Sequence, residues 1–135
     1  MHIPLLLLVS LASLASSAVS PASAACLQYE PAKVTLTGKL HRQTFPGTPN
    51  FESVKDGDAA ETGFYLTLAQ PICTQEDPGR DQAGFAVVKE VQLVLDQALY
   101  DQLRPHLGQQ VSVSGQLFAG FTGHHHTDVL LTVDK

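Results

Sequence analysis

The sequence predicts an all-β domain with one helix, its five strands wrapped into a small barrel. Three observations point there. Two segments, VTLTGKL at 34–40 and VSVSGQL at 111–117, share one pattern: apolar and polar residues alternate, and Gly38 and Gly115 stand on the apolar side. Alternation with period two buries one face of a strand, and a glycine inside a strand marks a bend where a neighbouring backbone comes close. Three further strand-like segments are GFYLTL at 63–68, VQLVLD at 91–96 and DVLLTV at 128–133. The one helical pattern, Leu99, Leu103 and Leu107 at i, i+4 and i+8, falls between the third and fourth segments. The order β-β-β-α-β-β is that of a five-stranded OB-like Greek-key barrel. An open β-sandwich is the alternative.

The first 24 residues stand outside that domain. They hold an apolar run from Ile3 to Val9, a Ser/Ala/Leu stretch and the small-x-small triplet Ala22-Ser23-Ala24, with no Lys or Arg before the run. This reads as a secretory signal peptide over residues 1–24, too short in its apolar part to span a bilayer. Residues 25–135 then form one small domain, periplasmic or secreted from a bacterium, and we expect a monomer. Cys26 and Cys73 are the only cysteines, and an even count in an exported domain predicts a disulfide. The pair flanks the first two strands, which an antiparallel hairpin would bring to one end. Cys26 as a lipid-bearing residue is the rival, disfavoured because Ser23 stands where a lipobox needs Leu.

Within the domain the first strand buries Val34, Leu36 and Leu40, the second Phe64, Leu66 and Leu68, and the third Val91, Leu93 and Leu95. Asp96 is placed to cap the helix, and Pro105 ends its regular part near Arg104. All 13 acidic and 8 basic side chains lie after the leader, giving the domain a formal charge of −5. That balance disfavours nucleic acid and suits a basic protein or a small cationic ligand.

OB-like barrels bind through the second and third strands and through the loops joining strands one to two and four to five. Both loops are unusual here. The first, residues 44–62, is long and carries Phe45, Asn50, Phe51, Glu52, Asp56, Asp58 and Glu61, and a long loop in a small domain is often functional. The second, residues 119–127, holds His124, His125 and His126. In extended chain His124 and His126 point one way and His125 the other. Two imidazoles fall short of a zinc site, so further ligands would have to come from Asp128, from His41 or from the acidic first loop. Zinc, copper or nickel are the candidate metals, and the alternative is a polar turn that fixes one loop on the other. No nucleophile elbow, HExxH motif or buried carboxylate pair is present, which argues against an enzyme.

Taken together, CLQYEP, TFPGTPNFESVKDGD, PIC, LRPHLGQQVSVSGQLF and TGHHHTDVLLTV resemble the bacterial DUF4431 family of small exported domains without assigned function. The resemblance extends over nearly all of residues 25–135. It implies an exported single domain whose two loops matter, and it supplies no reaction, cofactor or catalytic residue. The sequence therefore predicts a non-enzymatic binding domain with no required cofactor. Residues 44–62 and 119–127 would meet either a protein, as an inhibitor or immunity protein meets a toxin or hydrolase, or a small cationic ligand. Phe45, Asn50, Phe51, Glu52, Asp56, Asp58 and His125 are the expected contacts. A periplasmic metal-binding protein using His124 and His126 is the alternative.

Overall fold

The computed structural model describes residues 15–16 and 25–135, so the leader reading falls outside the described residues apart from that dipeptide. Five strands, β1 (Val34–Pro46), β2 (Ala60–Ile72), β3 (Val88–Val94), β4 (Gln110–Ala119) and β5 (Val129–Val133), close into a barrel in the order β1-β2-β3-β5-β4. β3 and β5 run parallel, and the other neighbours are antiparallel. Helix α1 (Gln97–Leu103) lies between β3 and β4 in the chain. This is the predicted OB-like architecture.

The inward side chains are those the alternation selects. Leu36, Leu40, Phe64, Leu66, Leu68, Val91, Leu93, Val113, Leu117, Val129 and Leu131 form one buried cluster. β1 and β4 are neighbours, with Val34 opposite Gly115 and Gly38 opposite Val111. Each glycine makes room for the strand on its other side: a Cβ at Gly38 would fall on the Thr67 carbonyl of β2, and one at Gly115 on the Thr132 carbonyl of β5. The matched glycines are therefore two places where the closing barrel brings backbones together.

Asp96 caps α1, its carboxylate accepting from the Leu99 N–H at 2.9 Å. Pro105 then stands in a tight turn, Arg104–His106, that ends the helical segment. Leu99 is buried, and Tyr100, Leu103 and Leu107 pack against the barrel core. Cys26 and Cys73 are bonded, with Cα atoms 4.7 Å apart. Beside them the Leu27 N–H donates to the Cys73 carbonyl at 2.9 Å, and the Gln75 N–H to the Leu27 carbonyl at 2.8 Å. The N-terminal segment is thus tied to the end of β2, and the Cys26 sulfur is committed to that bond.

β3 runs Val88–Val94 rather than 91–96, leaving Leu95 outside it and only partly buried, and the largest departures are in β1 and β2. β1 continues to Pro46 and β2 begins at Ala60, pairing Thr44 with Thr62 and Phe45 with Glu61. The loop expected over 44–62 shrinks to 47–59. Arg42, Gln43 and Thr44 are all exposed, so this arm has no inward apolar alternation to reveal it. It is held by its ladder and by cross-strand pairs such as the Thr44 and Thr62 hydroxyls, 2.8 Å apart.

Candidate functional site

One row of paired residues crosses the outer surface of all five strands. His41 is opposite Tyr65, Tyr65 opposite Gln92, Gln92 opposite Leu130, and Leu130 opposite Phe118. Paired residues share a face, and here that face is covered rather than wet: Tyr65 is 1% and Leu130 0% exposed. Burial pushes the Tyr65 phenol up to about 12. The chain between β4 and β5 and the far end of β1 lie over this row.

Gln92 fastens the β4–β5 loop down. Its Oε1 accepts from the His126 N–H at 2.7 Å and its Nε2 donates to the His124 carbonyl at 3.1 Å. Its own N–H donates to the Thr127 hydroxyl, which in turn donates to the Val129 carbonyl. One side chain of β3 thereby fixes the backbone of two of the three histidines.

The three imidazoles have separate environments. His124 reaches Glu61, its Nδ1 2.8 and 2.9 Å from the carboxylate oxygens. The His126 ring is stacked on Phe45, with centroids 4.6 Å apart and planes 3° from parallel, and its Nε2 stands 3.5 Å from Glu61 Oε2. That nitrogen is buried without a hydrogen-bond partner. His124 and His126 both meet the carboxylate at the start of β2, from a turn rather than the extended chain that the sequence predicts. The hydrogen bond from His124, ahead of the other interactions, holds the Glu61 carboxyl below its ordinary value.

His125 points elsewhere and closes the turn. Its Nδ1 accepts from the N–H groups of Phe121 at 3.0 Å and Thr122 at 3.3 Å, and its ring meets Phe118 and Phe121 edge-on. Burial, then the neighbouring imidazoles, lowers its basicity. An imidazole accepting backbone hydrogen bonds is neutral at that nitrogen, so His125 organises the turn. The exposed group it props up is Phe121, whose surface is 76% accessible.

The 47–59 loop is built on Asp58. This carboxylate, expected from the sequence as a contact residue, is buried and accepts from the N–H groups of Asn50, Glu52 and Ser53 at 2.8–2.9 Å. Those backbone bonds hold its carboxyl below the usual value. Its acceptor capacity is spent inside the loop. Phe51 adopts a left-handed backbone, φ 55°, and lays its ring over Gly123, where a Cβ would come within 2.8 Å of it. The same ring meets His124 edge-on. Asn50, Glu52 and Asp56 remain exposed. Phe45 is only part-exposed, held between Tyr65 and His126.

Two expected metal partners are not brought to the triplet. His41 stacks on Tyr65 and contacts Glu90 at 3.0 Å, because it sits four residues before Phe45, the β1 partner of Glu61. Asp128 is exposed and gives only its backbone carbonyl, to the Gly120 N–H. Among the described residues, no group of three or more His, Cys, Asp or Glu side chains is placed to hold a metal ion. Sequence reasoning missed Gln92, Phe121, Tyr65 and Leu130. The available signal was polar Gln92 inside an apolar run, and the apolar outward positions Tyr65 and Leu130 beside inward ones.

Fold and loops together define a small OB-like barrel whose usual binding face is covered by its own chain, leaving the loop end exposed. Over residues 90–135, which take in most of β3 and all of α1, β4, the histidine loop and β5, the chain matches the family model described as "Domain of unknown function (DUF4431)". The resemblance read from the sequence holds for that stretch, while the CLQYEP, TFPGTPNFESVKDGD and PIC segments lie outside it. No curated protein matches the chain, and no solved structure does.

Proposed function

We propose that this chain is an exported, non-enzymatic binding domain that recognises a protein partner through the loop end of the barrel. The observation that carries the reading is Phe121. It is a large apolar side chain left 76% exposed on a turn held rigid by His125 beneath it. A rigid, exposed aromatic on a fastened loop supplies contact area at little ordering cost. Phe51, 36% exposed, stands on the facing loop beside the exposed acidic residues Glu52 and Asp56, which suits a partner with an apolar recess and basic rim. The Cys26–Cys73 bond is compatible with a compartment outside the cytoplasm, and no helix among the described residues is long and apolar enough to cross a membrane.

The test is capture from envelope extract with immobilised wild type and Phe121→Ala in parallel. A partner retained by wild type and lost by the variant, with unchanged melting temperature, supports the reading. Equal retention by both would remove Phe121 as the anchor.

A further inference from the structure

We infer that the cleft beside Phe121 receives an arginine side chain of the protein partner, an assignment that rests on the loop end being the recognition surface. The cleft has a volume of about 450 Å³, and Phe85 and Phe121 give it two aromatic walls. Asp128 is the sole carboxylate among its lining residues, and none of them is Lys or Arg. The Asp128 side chain is exposed and is engaged by no basic side chain of the described residues. The His125 ring, also in the lining, accepts from two backbone N–H groups and carries no proton at that nitrogen.

Each wall is held in place by the fold. The Phe85 N–H donates to the Thr74 hydroxyl at 3.0 Å, and the Phe85 carbonyl accepts from the Thr74 N–H at 2.9 Å. Thr74 itself is buried. The Phe121 N–H donates to His125, and the Asp128 carbonyl accepts from the Gly120 N–H at 2.9 Å. The ordering cost of these segments is met when the chain folds, so little of it falls on association.

Aromatic walls with one carboxylate select a guanidinium among side chains. It is planar and weakly hydrated, stacks on aromatic faces and pairs with a carboxylate through two parallel N–H donors. The lysine ammonium is compact and strongly hydrated, so it gains less from the same walls. An apolar side chain would take water from Asp128 and return no partner. An anion would meet both Asp128 and a domain of formal charge −5. Across residues 126–128 the cleft adjoins a second groove, lined by Val87, Lys89 and Glu90. Val87 is 61% exposed there, which gives an apolar neighbour of the arginine a place to pack.

The experiment is an NMR titration of isotope-labelled, tag-free protein, expressed from the full-length sequence, with the end-capped tripeptide Gly-Arg-Gly. The peptides with citrulline or lysine in the arginine position are titrated in parallel. The arginine peptide should give saturable shifts at the amides of residues 120–122 and 127–128, and both others should bind about fivefold more weakly or worse. Asp128→Asn and Phe121→Ala should each weaken the arginine peptide by roughly fivefold or more. Both side chains are exposed, so these variants keep the fold, and their melting temperatures check it. Asp101→Asn, which removes an equal charge from α1, should bind like wild type. Absence of saturable shifts overturns the assignment. So does equal binding of the citrulline or lysine peptide, or unchanged binding by Asp128→Asn. Loss of a captured envelope protein with Phe121→Ala, alongside a silent arginine peptide, would remove the arginine and leave the loop-end surface standing.

Discussion

Phe45 lies flat on His126, the two rings 4.6 Å apart and nearly parallel, so the end of β1 and the β4–β5 loop share one packed contact. Phe45→Ala should therefore lower stability by about 2 kcal/mol. Phe121→Ala should change the melting temperature little, because its ring is mostly in water. Thermal melts of the two variants check this. Equal, small shifts would show that the Phe45–His126 contact contributes nothing to the fold.

Gly38→Ala and Gly115→Ala should each cost at least about 2 kcal/mol, and the valine variants more, because even a methyl group falls on a carbonyl of the adjacent strand. Gly57→Ala is a contrasting change: its neighbourhood is open, and its cost comes from a positive φ alone. Urea titrations give the comparison. Wild-type midpoints for both barrel variants would mean that the strands do not approach as closely as described.

Asp58 gives the domain an acid-sensitive loop. Its folded carboxyl titrates below its ordinary value, with backbone N–H bonds from Ser53, Glu52 and Asn50 as the leading causes. Stability from this group is present above the unfolded value of about 4 and is lost as pH falls through the lower folded value. Asp58→Asn keeps one carbonyl acceptor and loses the charge, so its stability should vary less across that acid range. Hydrogen exchange at the amides of Asn50, Glu52 and Ser53 should be faster in the variant. Unchanged exchange would sink the cradle assignment.

His125 makes the opposite loop sensitive in a milder range. Burial first, then His124 and His126, lowers its value from the ordinary 6.5. The folded state prefers the neutral ring, so the turn is fully supported above the unfolded value and weakens as pH drops from there towards the folded one. Protonation at Nδ1 also ends acceptance from Phe121 and Thr122. NMR titration should place the His125 midpoint below that of a free imidazole, with the two amides shifting together. A midpoint at or above 6.5 contradicts this.

Breaking the Cys26–Cys73 bond should lower stability by up to about 4 kcal/mol on the chain-entropy view of a loop closed across 47 positions. Melts of the Cys26→Ser/Cys73→Ser double variant provide the measure. Intact mass of unreduced wild type should lie two hydrogens below the reduced form. Two free thiols in unreduced protein would exclude the bond.

The barrel was legible because its inward residues alternate: Leu36 and Leu40, Phe64 to Leu68, and Val113 to Leu117 each show one buried face. The caps were legible too, since Asp96 and Pro105 act through local rules that do not depend on the rest of the chain. The β1–β2 arm beyond the barrel was hidden, because Arg42 to Thr44 present polar groups on both sides. In the triplet, His125 does part from its neighbours, but through a turn that its own ring closes and not through a strand period. Their partner was harder to select: Glu61 was one of several acids in a supposed loop until the pairing of Phe45 with Glu61 fixed its place. Tyr65 and Leu130 look like ordinary outward positions, and only the loop laid over them makes them core.

The hydrogen bonds accepted by Asp58 and those made by Gln92 anchor the loop backbones, which has a thermodynamic consequence. The entropy of ordering these segments is lost when the chain folds, so a molecule docking there meets a surface already fixed in shape. Association would then resemble two rigid bodies meeting, with little backbone rearrangement and a heat-capacity change set mainly by the apolar area covered. Changes in the side chains at the contact would appear chiefly in how long the complex lasts. Loosening Asp58 or Gln92 would instead slow its formation, because the competent shape would be populated only part of the time.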